Sequence, residues 1–513
     1  MGGNSRGRPN SAGARGHATG REGDGGAGRA AGEPAGHRSG PAADRRAPRR
    51  AKRAGRAVAG TPAGAPGGGR TRLTRRGRIV VWSGVALAVL LVGAGGAAAW
   101  IYQSLNGNIH AADLDNKIGG GRPVNLSPGS KNIVVVGSDS RDGANSAYGK
   151  GLSTMQSDTL MVLHLSADRK WATVVSLPRD SWVDIPSCDR GDGTTSDPHH
   201  FKINESFAIG GTSGEVAGAA ACTIKTVEQN TGLRIDHFMS VDFQGFKGMV
   251  NALDGIEVCP EEPINDKKAS LDLAAGCQTV RDEEALGYVR TRYSTGDGSD
   301  LGRIGRQQEF MEALAAKAQQ RLSSPDAMYG FLDSATRSLT TDRELAGIKP
   351  LAGLASEVNG IPRDRLTFVT VPNYAREADV PSDKANVVWQ YPQAADLFDA
   401  LAKDREVDKE KLEADAARPV HARTVRVRVL NGTGIPGRAA KVADTLRTAG
   451  FTVSGVGNAP EPAERTEVDY PEGLEDSAEV LSSRVPGSSA RQDTAAAPGE
   501  VTLTVGTDFD TVR

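Results

Sequence analysis

The 513-residue chain holds only four cysteines, none in a CxxC spacing, and it contains no internal repeat of fixed period and no GxSxG elbow between a strand-like and a helix-like run, the one GxSxG match (Gly3 to Gly7) lying in the Gly- and Arg-rich leader. The missing CxxC pairs argue against a thiolate zinc site. Without a serine elbow, the usual signature of covalent hydrolase chemistry is absent, and without a repeat the chain is not an array. Aliphatic residues are nearly absent from the first 78 positions, so that segment cannot bury enough apolar surface to offset its ordering entropy. It reads as a disordered tail.

Formal charge is also nearly absent overall, at −1, but the balance hides two opposite parts. Residues 1–78 carry 18 Lys and Arg against 4 Asp and Glu, leaving 44 against 59 for the remainder. Between them, residues 79–102 have no formal charge at all. As a helix these 24 residues reach about 36 Å, against a hydrocarbon core of roughly 30 Å. Arg72, Arg75, Arg76 and Arg78 crowd the N-terminal side, a bias that keeps that side in the cytoplasm and sends the rest of the chain across the membrane. The competing reading is a cleaved secretory signal, with Ala97, Ala98 and Ala99 as small residues of the cleavage type. The length of both the leader and the apolar run favours a signal anchor. The basic tail offers charge for anionic lipid or nucleic acid, while a solvated tail that enforces topology accounts for the same composition.

Beyond the span, composition divides the chain into a polar stalk at 103–127, a large domain at 128–402, a charged connector at 403–421 and a small domain at 422–506. Both domains alternate strand-like and helix-like runs, which predicts α/β architecture. In the large one, residues 132–136, 159–165 and 172–177 are β-branched runs bounded by turn residues, and 215–231, 302–322 and 345–358 have helical length and spacing. All four cysteines lie outside the membrane, where disulfides persist. Three connectivities exist; the local pairs Cys188 with Cys222 and Cys259 with Cys277 are the expectation. The second closes a loop of about 18 residues, worth on the order of 3 kcal/mol in the chain-entropy model. The adjacent His199 and His200 sit in a Gly- and Asp-rich stretch and read as surface residues rather than metal ligands.

Chemistry concentrates where the predicted strands end. Asp139 and Arg141 follow the 132–136 strand, Asp158 opens the next, and Arg179 follows Pro178 after the third. Loops at the carboxyl ends of strands are where open α/β sheets bind ligands. Arg290 and Arg292 are two apart, whereas Asp300, Arg303 and Gln307 at i, i+3 and i+7 share one helical face that Arg306 does not. Guanidinium forks suit bidentate phosphate contacts. The same residues could instead pair with one another on a surface, where such bridges contribute little.

The segments GSDSR (137–141), QSDT (156–159), SLPRDSW (176–182), KINESFAIGG (202–211), VDFQGFKGMVNALDGI (241–256), EEALGYVRTR (283–292) and DLGRIGRQQEF (300–310) resemble, in order, the successive motifs of the LytR-CpsA-Psr family. Residues 425–453 and the late VTLTVG strand resemble the LytR C-terminal domain found after the catalytic domain in some members. The resemblance implies a three-layer α/β/α catalytic domain followed by a small α/β domain. It further implies a membrane-anchored phosphotransferase that moves a glycopolymer from a polyprenyl-pyrophosphate carrier to peptidoglycan, where the muramic acid 6-hydroxyl is the acceptor. Pyrophosphatase side activity would accompany it.

By the same resemblance, Asp139 and Asp158 hold Mg²⁺, or Mn²⁺ in its place. Arg179, Arg290, Arg292 and Arg303, with Gln307, grip the pyrophosphate, and Asp300 orients its neighbouring arginines. Arg141, Lys202 and Asn204 fall within matching motifs, and Arg141 and Lys202 are expected to help bind the substrate. Where many members have an arginine before the Ser-Asp, this chain has Gln156, which removes one positive charge and is expected either to alter donor affinity or to shift the burden to Lys202. A lipid carrier demands an apolar slot, and Phe238, Val241, Phe243, Phe246, Met249 and Val250 supply residues for one, although ordinary core has the same composition. The C-terminal domain shows no paired acids, metal ligands or aromatic platform, so catalysis is not expected to need it. The alternative to a transferase is a non-catalytic wall scaffold or regulator that binds lipid-linked polymer. A nucleic-acid-binding regulator is disfavoured, because the basic cytoplasmic tail has no DNA-binding pattern.

Overall fold

The computed structural model describes residues 74–138, 155, 157–291 and 300–513, with Asp300 and Leu301 described by backbone alone. The chain divides after Gly77. Of the part up to Gly77, only residues 74–77 are described, so the expected disordered tail lies otherwise outside the described residues.

A 34-residue helix, Arg75–Asn108, is long and apolar enough to cross a bilayer. It begins ahead of the expected span at 79 because Arg75, Arg76 and Arg78 are good helix formers that extend it without a break. Its far end, within the 103–127 segment, packs on other elements. Leu105 is buried, Asn106 accepts the Ile348 amide at 3.2 Å, and Asn108 donates to Thr336 Oγ1 at 3.4 Å. The strand His110–Ala112 then pairs in parallel with Leu339–Asp342, and Arg122 forms an ion pair with Glu228 at 2.5 Å. A three-residue edge strand leaves no alternating pattern long enough to be read from sequence.

The large domain is built on a seven-stranded mixed sheet. Its order across the sheet is His110–Ala112, Leu339–Asp342, His237–Asp242, Lys131–Ser138, Ser157–Leu165, Ala172–Leu177 and Leu366–Thr370. Strand alternation sends the two sets of side chains to opposite faces. Val134, Val136, Leu160, Val162, Val175 and Leu177 pack against helices Val216–Thr231 and Gln393–Ala402. Ile133 and Leu165 face the other way, with Val135, Leu163 and Met239, towards Leu345, Leu351, Leu354 and Val358. That face also carries helices Phe243–Ala252 and Asp300–Arg321. Helices on both faces give the three layers expected.

Phe243–Ala252 lies against Pro325–Ser338 at a spacing that only glycine allows. A Cβ on Gly245 would stand 2.1 Å from Ser338 Cβ, and one on Gly248 2.7 Å from Ser334 Cβ. The two expected disulfides, Cys188–Cys222 and Cys259–Cys277, are formed. Within the expected connector, Lys409–Ala416 is a helix capped by Asp408, whose Oδ1 accepts the Lys411 amide at 3.0 Å, and Leu412 packs on the large domain's core. The small domain has a five-stranded sheet, in the order Thr452–Asn458, Arg426–Asn431, Val501–Val505, Glu467–Tyr470, Ser489–Gln492, with helices Arg438–Thr448 and Glu475–Arg484. It has its own core of aliphatic residues centred on Val427, Val429, Leu446 and Leu503.

Gly245→Ala should therefore force the two helices apart. An overpacking cost of about 1–3 kcal/mol is expected, read as a lower denaturant midpoint at unchanged m-value; an unaltered midpoint would show that the helices can separate freely.

Candidate active site

Three neighbouring strands bring their polar residues to one end of the sheet. Register places Ser138 opposite both Ser157 and Asp242, then Gly137 opposite Thr159 and Val241, then Val135 opposite Met161 and Met239. Along these strands the residues thus change within four positions from acids and hydroxyls to hydrocarbon. A cavity of about 370 Å³ follows that gradient. At its polar end lie Asp158, Thr159, Arg179, Asp242, Arg290, Arg303 and Gln307; further in, Met161, Phe246, Met249, Leu286, Met311 and Leu314 form the walls.

Each of the cationic groups is held from a different element. Arg179 follows the Ala172–Leu177 strand after Pro178, and its Nη1 donates to Asp158 Oδ1 at 2.6 Å. Arg303 is 3% exposed and donates from Nη2 to the Asp158 carbonyl at 3.3 Å, while Gln307, one turn on, donates to Thr159 Oγ1 at 3.3 Å and to the Val289 carbonyl at 2.9 Å. The i, i+4 spacing within Asp300–Arg321 sets both on the cavity side. Arg306 points away, as its position in the sequence implies, and donates to the Thr291 carbonyl at 2.6 Å. Burial pulls its guanidinium pKa down, against the nearby Tyr288, Glu309 and Asp266, which favour the charged form. Arg290 ends the helix Asp282–Arg290 and lies over the Phe243 ring at 4.7 Å, a cation–π contact that leaves the fork directed by an aromatic wall.

Lys202 is not among the lining residues. Its ammonium pairs with Asp180 at 2.6 Å and donates to the Ala385 carbonyl at 3.1 Å, beside the loop that carries Arg179. Asn204 donates its amide to the Arg179 carbonyl at 3.4 Å, which again supports the loop rather than the cavity. Asp139, Arg141, Gln156 and Arg292 lie outside the described residues, and so does the side chain of Asp300. Of the apolar residues singled out in sequence, Val241, Phe243, Phe246 and Met249 line the cavity, whereas Phe238 and Val250 are fully buried core.

Three charged lining residues were not singled out: Asp242, Asp266 and Lys268. Asp242 stands inside the quoted VDFQG segment, where an acid just before a helix is a capping signal, and its Oδ1 accepts the Gly245 amide at 2.8 Å. Asp266, 4% exposed, accepts from Thr291 Oγ1 at 2.7 Å and from the Lys268 and Ala269 amides at 2.9 and 3.2 Å. Thr291 is thereby held at its hydroxyl by Asp266 and at its carbonyl by Arg306, which fixes the backbone between Arg290 and Arg292.

The carboxylates offer hard oxygen ligands. No group of three or more metal-binding side chains occurs among the described residues. Mg²⁺ needs none, since it is commonly held by one or two carboxylates together with substrate phosphate and water. Asp158 at the polar end of the cavity fits that donor chemistry.

Residues 101–403 match the LytR_cpsA_psr family, and residues 424–509 match the LytR_C domain described as LytR cell envelope-related transcriptional attenuator. The chain is 36% identical over 279 residues to the protein named Probable cell wall biosynthesis protein LcpB of Corynebacterium glutamicum, covering 53% of this chain and 60% of that protein. It is 28% identical over 270 residues to the polyisoprenyl-teichoic acid–peptidoglycan teichoic acid transferase TagU of Enterococcus faecalis, covering 52% of this chain and 79% of that one. Among solved structures, the LytR-Csp2A-Psr enzyme from Actinomyces oris superposes with a TM-score of 0.41 at 19% identity, over 57% of this chain and 96% of that chain.

Thr291→Val should remove a hydroxyl from a buried carboxylate. The expected loss is about 1.5–3 kcal/mol, seen in chemical denaturation; a loss below about 0.5 kcal/mol would mean that Asp266 does not depend on this bond.

Proposed function

The chain belongs to the LytR-CpsA-Psr family, and from that membership together with the cavity we propose that it is a membrane-anchored phosphotransferase that moves a glycopolymer from a polyprenyl-pyrophosphate carrier to peptidoglycan. The observation that carries this reading is the joining, in one cavity, of an arginine cluster at the polar end with a hydrocarbon interior. A doubly charged pyrophosphate on a long apolar chain is a ligand with that same polarity gradient. The name of the TagU relative, a polyisoprenyl-teichoic acid–peptidoglycan transferase, supports it further.

In this reading Arg179, Arg290 and Arg303, with Arg292 and Gln307, contact the phosphate oxygens. The acceptor hydroxyl oxygen attacks the sugar-linked phosphorus; the new O–P bond forms as the bond between the two phosphates breaks, polyprenyl phosphate leaves with the electron pair, and the hydroxyl proton is released. Negative charge grows on the bridging and equatorial oxygens, and guanidinium donors fixed before the reaction stabilise it without reorganising. Asp158 with Asp139 would hold Mg²⁺ or Mn²⁺, which supplies charge neutralisation and orientation of the phosphates. Asp158 also anchors Arg179, so its loss would affect both groups. The apolar walls exclude water and hold the chain, while the Arg75–Asn108 helix keeps the site near a donor dissolved in the same bilayer, raising its effective concentration. The orientation follows from the basic residues before the helix: tail in the cytoplasm, site outside.

The full chain in lipid nanodiscs, given a short-chain polyprenyl-pyrophosphate-linked sugar and Mg²⁺, should release polyprenyl phosphate at least tenfold faster when peptidoglycan is present than by hydrolysis alone. Arg179→Ala should lower that rate by about 10²–10³-fold, and Asp158→Ala by at least as much. Donor binding with no release, with or without acceptor, would instead assign the chain to a scaffold that holds lipid-linked polymer.

A further inference from the structure

The small domain is fastened to the segment that grips Arg179. The loop 179–181 has a second set of partners besides Asp158: the Val387 amide donates to the Asp180 carbonyl at 3.0 Å, Trp389 Nε1 donates to Ser181 Oγ at 3.0 Å, and the Ile203 amide donates to the Ser181 carbonyl at 2.9 Å. Val387 and Trp389 belong to a short strand, Val387–Trp389, that pairs with Asn373–Ala375. Such a two-stranded ribbon is marginal without further support. That support comes from the C-terminal domain.

Arg376, directly after the ribbon and 6% exposed, lies over the Trp182 ring at 4.3 Å, pairs with Asp383, and donates from Nη2 to the Thr448 carbonyl of the small domain at 2.6 Å. Arg484, in the small domain and 3% exposed, donates to the Trp389 carbonyl at 3.4 Å and to the Ala449 carbonyl at 3.2 Å, stacked near Tyr391 and Phe451. Asp379 accepts the Arg423 amide at 3.1 Å and the Tyr374 hydroxyl at 2.6 Å. Gly450, at φ +97°, packs so closely that a Cβ there would stand 2.7 Å from Asp379 Cβ. Each guanidinium meets acceptors through its Nη atoms, Arg376 at Asp383 and Thr448 and Arg484 at Trp389 and Ala449, while its Nε is buried without a hydrogen-bond partner, so the Nη contacts are what define the joint.

We propose that the C-terminal domain is a brace for the active site, and that Arg376 and Arg484 are positioning residues which, through the 373–391 segment, hold Arg179 at the phosphate. The inference rests on Arg179 contacting the donor pyrophosphate as described above. It reverses the expectation from sequence that catalysis does not need this domain. The domain carries no reacting group, and its contribution is to restrict where a guanidinium attached to a short loop can lie. Displacing a substrate-contacting group by about 1 Å can cost on the order of 10²-fold in rate.

The test uses the full chain in nanodiscs with Arg484→Gln and Gly450→Ala, the second opening the same joint without removing a buried charge. Hydrogen exchange is followed at segments containing Val387 and Ile203, with Lys131–Ser138 as the control for an intact sheet. Exchange at Val387 and Ile203 should rise at least tenfold in both variants while the control strand stays protected. Turnover should fall about tenfold or more, with the donor KM changed less than threefold, since Arg290 and Arg303 remain in place. Arg484→Lys, which keeps the charge, should recover part of both. Unchanged exchange at Val387 and Ile203, or unchanged turnover once the joint is open, overturns the proposal. If Arg484→Gln loses protection throughout, Gly450→Ala decides. If the unaltered chain releases no polyprenyl phosphate, the transferase reading fails, and the exchange data alone then show whether the small domain steadies the loop.

Discussion

A charge cluster must stay charged beside hydrocarbon, and the Arg179–Asp158 pair is where the structure meets that demand. The two groups are only part-buried and lie 2.6 Å apart. Their geometry is set by the main chain on both sides: Asp158 opens a strand whose carbonyl receives Arg303, and Arg179 leaves a strand through Pro178 into a loop bonded to Ile203, Asn204 and Val387. A cluster assembled from flexible side chains on a surface would contribute little. Held by three strands and a helix, it becomes a preorganised set of donors aimed at one end of the sheet.

The apolar half depends on a different constraint. A protein interior normally fills itself, so a cavity persists only where backbone elements are prevented from closing in. Here the helix Phe243–Ala252 is locked to Pro325–Ser338 through Gly245 and Gly248, and the disulfide-bearing region 256–280 packs its own core of Val258, Ile264, Leu271 and Val280 beside it. The end of the apolar Arg75–Asn108 helix reaches the same group of elements through Asn108 and Thr336. Apolar helix, cavity wall and arginine cluster are thus linked by a short series of contacts.

Much of this was legible in residue order. The β-branched runs gave the three central strands, the i, i+4 relation gave Arg303 and Gln307 a common face, and local cysteine pairing was right for both bridges. What escaped reading depends on distance in sequence or on short length. His110–Ala112 is too brief for periodicity, and Thr291 meets Asp266 across 25 residues with no pattern to signal it. Phe246 in the cavity and Phe238 in the core are the same residue type a few positions apart. Arg376 and Arg484, 108 positions apart, look like ordinary solvent-exposed arginines until the small domain is folded against the large one.

The central claim is that one cavity receives both the pyrophosphate and its lipid. A crystal structure of the protein with a short-chain polyprenyl pyrophosphate tests it most directly. The account predicts phosphate density within hydrogen-bonding distance of Arg179, Arg290 and Arg303, with the isoprenoid chain running between Phe246, Met249 and Met311. A chain lying elsewhere on the domain, with the cavity empty or the arginines still paired only among protein groups, would contradict it.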